Sequence, residues 1–222
     1  MTFSILARDP GTGALGGAAA TGSLCVGGWV LRGDSRAGIS ASQGAAPSTM
    51  WGEDVIEALR AGASAAEAVA RITGADSGRD WRQLSALGRT GAGAAFTGER
   101  NTGWHGQRTA PGHVVAGNML VGPEVLETAE RALVTTDAPF PDRLLDALQA
   151  GARAGGDTRG LQSAAILIVS DTDPPLTLRI DWAEDPLPAL ADLLARTRAP
   201  GYGDWLPRVP TRRDPERHDV RR

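Results

Sequence analysis

The residue with the most chemistry to offer is Thr2, directly after Met1 in "MTFSILARDPGTGALGGAAATG". A small residue at position 2 permits removal of the initiator methionine. A freed Thr2 then carries a hydroxyl nucleophile and an α-amine on one residue, and an amine with a reference pKa of about 7.7–8.0 serves as general base without a histidine. The plainer reading is that Thr2 only starts a strand. The same stretch offers a competing chemistry, because Gly11, Gly13 and Gly16 fit G-x-G-x-x-G, and Asp34 lies where a ribose-binding acid is expected. That motif works by presenting pyrophosphate to a helix N-terminus. Here "LGGAAATGSLCVGG" follows, and each glycine costs a helix about 1 kcal/mol against alanine. The stretch therefore reads as a strand, a glycine turn and a second strand, with no dinucleotide cofactor.

Other mechanisms are bounded by what the chain lacks. All 23 basic residues are arginine. A Schiff-base lysine, a pyridoxal-phosphate anchor and a Walker-A loop need an amine that guanidinium cannot replace. Cys25 is the sole cysteine, which excludes an intramolecular disulfide and a thiolate cluster within one chain. It reads as a small buried hydrophobe more readily than as a reactive thiol. His105, His113 and His218 share no metal-ligand spacing and there is no G-x-S-x-G elbow, so no metal is expected. His105 and His113 stay open as general bases or structural side chains. Trp29, Trp51, Trp81 and Trp104 line a pocket or fill the core, the latter being the default.

The elements that must position Thr2 follow from periodicity. "FSILAR" and "ALGGAAAT" around "DPGTG" predict a hairpin. "GGWVL", "RAGISASQ", "WRQLSAL", "GAGAAFTG" and "GHVVAGNM" read as further strands or strand ends. Apolar residues at helical spacing predict two helices between Trp51 and Thr73, the second opened by a Ser64/Glu67 capping box. Two more helices are expected at 123–134 and 141–154, the latter ended by Gly155-Gly156. "SAAILIVS" and "PLTLRIDW" predict a last strand pair, and "PLPALADLLART" a final helix. Grouped hairpins and grouped helices argue for antiparallel sheets with helices outside, not for βαβ alternation.

At 222 residues and 41% hydrophobic content the chain can bury a substantial core. Its net charge of −3 is uneven: residues 199–222 carry six arginines against four acids. Those charges are interleaved in a Pro-rich segment, which reads as a solvated arm or subunit clasp, with Trp205 and Leu206 as anchors for a homodimer, and not as a nucleic-acid footprint. No run is long enough for a membrane span and no leader pattern stands at the start, so a cytoplasmic location is expected, with neither membrane nor nucleic acid as partner.

The segments "MTFSILARDPGTGALG", "GAAFTG", "AGNMLVGPEV", "AGARAGGDTRGLQSAAILIV" and "LRIDWAEDPLPALADLL" resemble the family known as domain of unknown function 1028. The resemblance covers about residues 1–198, leaving 199–222 as a tail. It implies an α+β four-layer αββα sandwich of the N-terminal nucleophile hydrolase kind, and by analogy hydrolysis of an amide-like bond in a small-molecule substrate. Thr2 is then the nucleophile. Asn118 and Gln43-Gly44 are candidates for an oxyanion hole, where preorganised donors meet developing negative charge, or for plain turn and sheet-edge hydrogen bonding. Asp157, Arg159, Gln162 and Ser163 stand where a helix gives way to a strand, placed to orient the nucleophile or bind substrate, or to form an Arg–Asp structural pair. Arg8, Thr21, Ser23, Gly44 and Arg159 complete the substrate-binding candidates. The chain departs from the family at Thr21-Gly22, where many relatives carry serine and a basic residue, and at Gln107, where a histidine is common. With no lysine, Arg8 or Arg159 could supply positive charge but not shuttle a proton. The alternative is a catalytically silent member of the fold that binds a metabolite or acts in assembly.

Overall fold

The computed structural model describes residues 2–155 and 159–218. The first strand, β1 (Thr2–Arg8), turns through Asp9–Ala14 into β2 (Leu15–Thr21) as an antiparallel hairpin. The turn is closed by Asp9 N–H to the Ala14 carbonyl and Gly13 N–H to the Asp9 carbonyl. Gly13 adopts φ of +77°, the left-handed conformation that glycine takes at least cost. The G-x-G-x-x-G spacing thus belongs to a hairpin turn with no helix behind it.

Two antiparallel sheets make the centre of the molecule. The larger has the order β10-β9-β2-β1-β8-β7, with β7 (Trp104–Ala110), β8 (His113–Leu120), β9 (Ser163–Val169) and β10 (Leu176–Ile180) joining the hairpin. The smaller has the order β3-β4-β5-β6, from β3 (Leu31–Asp34), β4 (Gly38–Gly44), β5 (Arg82–Gly88) and β6 (Gly93–Thr97). Period-two alternation gives each strand two destinations. In β1, Phe3, Ile5 and Ala7 face a helical layer, whereas Leu6 joins Leu15, Ile39, Leu87 and Val114 between the sheets.

The outer face of the large sheet is covered by α4 (Glu124–Thr135), α5 (Phe140–Arg153) and α6 (Pro186–Arg196), which bury Leu126, Leu144, Leu148 and Leu190 against it. Small residues in β2 let α5 come close. A Cβ on Gly16 would lie 2.6 Å from both Phe140 Cζ and Leu144 Cδ1. The small sheet is covered by α2 (Thr49–Arg60), capped by Ser48, and α3 (Ala65–Gly74), capped by the reciprocal Ser64/Glu67 box, through Trp51, Val55, Leu59 and Val69. Helices, sheet, sheet, helices: this is the αββα sandwich.

Three elements differ from expectation. "GGWVL" is not a strand: Val26–Trp29 form the short helix α1, and β3 begins only at Leu31. Cys25, at φ of +61°, turns the chain into α1 while its N–H bonds the Asp181 carbonyl. Strand β7 was not expected, since "WHGQRTA" is an edge strand whose exposed Gln107, Arg108 and Thr109 carry no apolar alternation. The C-terminal segment does not extend as an arm. Its short helix α7 (Tyr202–Trp205) and the turn after it run back to the body, where Arg213 N–H bonds the Asp171 carbonyl and Thr211 is buried. Tyr202 and Trp205 stay exposed, their rings 5.7 Å apart. No described helix is long and apolar enough to cross a membrane.

Candidate functional site

Because β1 is central in the large sheet, its first residue has a strand on either side. Thr2 stands opposite Thr21 on β2 and opposite Asn118 on β8, and Thr21 stands opposite Ser163 on β9. Residues opposed across antiparallel strands point to the same face. Ser163, Thr21, Thr2 and Asn118 therefore form one polar row across four strands, turned toward the small sheet. All four are buried, Thr2 at 9% exposure. The Thr2 hydroxyl donates to Thr21 Oγ1 at 3.1 Å.

The small sheet meets this row with amides. Gln43, at the end of β4, donates from Nε2 to the Thr2 carbonyl at 3.2 Å, to the Ala116 carbonyl at 3.3 Å and to Gln83 Oε1 at 2.6 Å. Gln83 on β5 is fully buried and acts as the hub. Its Oε1 also accepts from Asn118 Nδ2 at 3.2 Å, and its Nε2 faces Thr97 Oγ1 and the carbonyls of Gly106 and Gly117 at 2.7–3.1 Å. Thr97 in turn donates to Gln107 Oε1 at 2.6 Å. An otherwise apolar sandwich is thus polar at one end. Among the described residues, Gln43 Oε1, Asn118 Oδ1, Ser4 Oγ and Ser85 Oγ in this layer are buried without a hydrogen-bond partner.

The remaining candidates divide by location. Ser163 accepts from Val26 N–H at 3.1 Å and donates to the Ser23 carbonyl at 2.8 Å, so it ties the 22–25 loop, exposed at Ser23 and Leu24, and α1 to the sheet end. Gly44, next to Gln43, holds φ of +136° with a Cβ position only 2.6 Å from the Trp81 carbonyl oxygen. Arg159 is exposed just before β9, at the same end as Thr2. Asp157 lies outside the described residues. Arg8 does not share the site. It ends the strand that Thr2 begins, and six residues at about 3.3 Å each separate the two by about 20 Å; its Nε donates to the Arg89 carbonyl. His113 is also at the far end, where it pairs with Glu130 at 3.0 Å. Burial pushes the Glu130 carboxyl up, and the hydrogen bonds from His113 and Arg108 more than offset this, holding it below the usual value.

Two features mark this end further. Met119, immediately after Asn118, takes a left-handed φ of +57°, and the β7–β8 register shifts between Trp104 and Gly106. A left-handed non-glycine residue bends β8 just past the polar row. The loops that leave β2, β8 and β10 here expose Leu24, Val121 and Trp182, each more than half exposed. Clefts of 880, 1030 and 830 Å³ lie elsewhere, none of them lined by Thr2. Among the described residues no group of three or more potential ligand side chains could hold a metal ion.

Sequence reasoning did not single out Gln83 and Thr97. The available signal was alternation: in "RQLSAL" Gln83 and Ser85 alternate with Leu84 and Ala86, although β5 is covered on both faces. A polar residue on the inner face of a buried strand is a stronger indicator than an exposed one.

Residues 2–190 match the model of a family of unknown function, DUF1028. The chain belongs to the DUF1028 family. Protein SPO2555 from Silicibacter pomeroyi, a solved structure described with the same family, is 51% identical and superposes with a TM-score of 0.94 over 98% of both chains. Two remote structures are also similar. Eukaryotic HslV from Trypanosoma brucei gives a TM-score of 0.46 at 11% identity, covering 76% of this chain and 99% of its own. Anbu (ancestral beta-subunit) from Yersinia bercovieri gives 0.39 at 9%, covering 90% and 98%. No curated protein matches the chain. Membership of DUF1028 therefore brings a shared fold but no assigned activity.

Proposed function

We propose that this DUF1028 protein is an N-terminal nucleophile hydrolase that cleaves a small amide or peptide-like molecule through Thr2 after removal of Met1. The observation that carries the reading is the position of Thr2 at the head of a central strand, with its hydroxyl held inside the sandwich by Thr21 and with Asn118 opposite. The Thr2 hydroxyl attacks the amide carbonyl while its proton passes to the α-amine. The amine returns that proton to the leaving nitrogen as the C–N bond breaks, leaving an ester on Thr2. Water then attacks the ester, its proton taken by the same amine, and the Thr2 oxygen departs and is reprotonated.

The surrounding residues support this chemistry as positioning groups. Gln43 fixes the Thr2 carbonyl and so the direction in which β1 presents its first residue. Asn118 Nδ2 gives one hydrogen to Gln83 and has a second for a developing oxyanion. Ser163 holds the backbone of the loop carrying Ser23 at the rim. Arg159 supplies positive charge at the same end. The exposed apolar side chains of Leu24, Val121 and Trp182 favour a substrate with an apolar substituent.

The test begins with intact mass and N-terminal sequencing of the purified protein, expected to start at Thr2. A panel of neutral acyl-aminomethylcoumarin amides is then hydrolysed by the wild type, and a β-lactone probe leaves a covalent adduct mapping to Thr2. Thr2→Ala is expected to abolish both while keeping the fold. A retained Met1, or turnover undiminished in Thr2→Ala, overturns the proposal in favour of a silent binding or assembly protein.

A further inference from the structure

The opposite end of β1 holds a second feature, unrelated to Thr2. A cleft of 880 Å³ is enclosed by four separate stretches of chain: the β1–β2 turn, the α4–α5 connection, the β9–β10 hairpin and the segment after α6. Its volume falls in the range of about 300–1,000 Å³ that holds small organic ligands. Six prolines line it: Pro10, Pro139, Pro141, Pro174, Pro175 and Pro207. Proline fixes φ and leaves few conformations to lose, so these walls are largely set before any ligand arrives. Phe140, Ile168, Leu176, Leu194 and Leu206 supply the apolar surface between them.

The arginines around the cleft are already matched. Arg143 pairs with Asp9, whose other oxygen accepts from the Thr12 N–H at 2.9 Å and the Thr12 hydroxyl at 2.6 Å. Arg143 also lies over the Phe140 ring at 5.2 Å. Arg198 makes a two-pronged pair with Asp142, and Arg217 meets Asp214 at 3.3 Å. Asp173 accepts from the Thr172 hydroxyl at 2.7 Å and Asp137 is exposed; among the described residues neither carboxylate meets an arginine, so the unpaired charge at the cleft is negative. An entering anion would find no unmatched positive charge among these groups, and would lose its hydration against apolar walls and two carboxylates without compensation. A neutral apolar molecule would lose nothing of that kind.

We infer that this cleft is a binding site for a predominantly apolar small molecule that carries no negative charge, about 20 Å along β1 from Thr2 and independent of the hydrolase reading. The C-terminal segment supplies one wall through Gly203, Leu206 and Pro207, so residues beyond α6 belong to the site. This gives the segment a role in ligand enclosure.

Two probes with one anilinonaphthalene body test the inference: neutral N-phenyl-1-naphthylamine and its sulfonated relative 8-anilino-1-naphthalenesulfonate. The full-length protein is expected to bind the neutral probe saturably at one site, at least about tenfold more tightly than the sulfonate, because the sulfonate must be desolvated unpaired. Ala138→Trp, which fills the cleft, and Leu206→Asp, which puts an unmatched charge in its wall, are expected to abolish that binding. Trp182→Ser, at the other end of the sandwich, is expected to leave it intact. Hydrogen exchange on the wild-type protein locates the probe without any variant, with slowing expected in 136–143 and 199–210. Absence of saturable binding, equal affinity for the sulfonate, slowing elsewhere, or binding that persists in both folded cleft variants would each overturn the inference.

Discussion

Gln83→Leu is the perturbation that most directly probes the polar layer between the sheets. Leucine approximates the glutamine in volume but supplies neither acceptor nor donor. Gln83 Oε1 is the acceptor for Asn118 Nδ2 and for Gln43 Nε2, and Gln83 Nε2 faces Thr97 and two backbone carbonyls. Gln43 keeps the Thr2 and Ala116 carbonyls, and Thr97 keeps Gln107. Asn118 Nδ2 loses its acceptor in the fully buried layer, at about 1–3 kcal/mol for an unmade hydrogen bond. The carbonyls of Gly106 and Gly117 add a comparable amount, and burial of the leucine side chain returns part of the total. The expected net loss is about 2–4 kcal/mol, a sizeable fraction of the roughly 5–15 kcal/mol that holds a domain together. Urea denaturation followed by circular dichroism measures it. A double-mutant cycle with Gln43→Leu sharpens the test, because partners in one network couple by about 0.5–3 kcal/mol. A loss below about 1 kcal/mol, with the two single changes simply adding, would refute the account of Gln83 as hub.

Two further outcomes follow from other parts of the fold. Gly44→Ala must place a Cβ 2.6 Å from the Trp81 carbonyl oxygen at a φ of +136°, and is expected to cost about 2–4 kcal/mol in the same denaturation assay; a change within about 0.5 kcal/mol would mean the strand end relaxes freely. Burial pushes the Asp9 carboxyl up, but the Thr12 hydrogen bonds and the Arg143 charge hold it below its usual value. A carboxyl depressed in the folded state stabilises fully above its unfolded value of about 3.9, and that stabilisation is lost as pH falls through the lower folded value. The wild type is therefore expected to exceed Asp9→Asn in urea midpoint at pH 6, with the gap closing below about pH 3.9; a gap independent of pH would exclude the ionised pair as its source.

Much of the architecture was legible because each layer leaves a period in the sequence. The Ser64/Glu67 box fixed the start of α3, and the leucines of α5 and α6 marked the faces that cover the large sheet. Local readings failed where tertiary contact overrides propensity. "GGWVL" carries strand-like residues, yet Val26–Trp29 curl into a helix that packs over β9 and β10, with Gly27 allowing the approach of Ala165 and Arg179. At the site, Thr2 and Asn118 were recognisable as chemistry-bearing residues. Their juxtaposition was not, since it depends on a register linking positions 116 residues apart. Gln83 was invisible for the same reason: a glutamine in a strand says nothing of what it faces until the second sheet is laid on the first.

The central place of β1 also sets a schedule for biosynthesis. Thr2 is buried only once β8, residues His113–Leu120, has paired with it. At about 5–20 residues per second, the ribosome takes roughly 6 to 24 s to make the intervening chain. Through that interval the nascent end cannot take its final position in the sheet. Once the strand is zipped between β2 and β8, Thr2 itself is buried. Under the proposed hydrolase reading, removal of Met1 has to compete with that pairing, and the share of molecules with a free Thr2 amine is set while the protein is still being made.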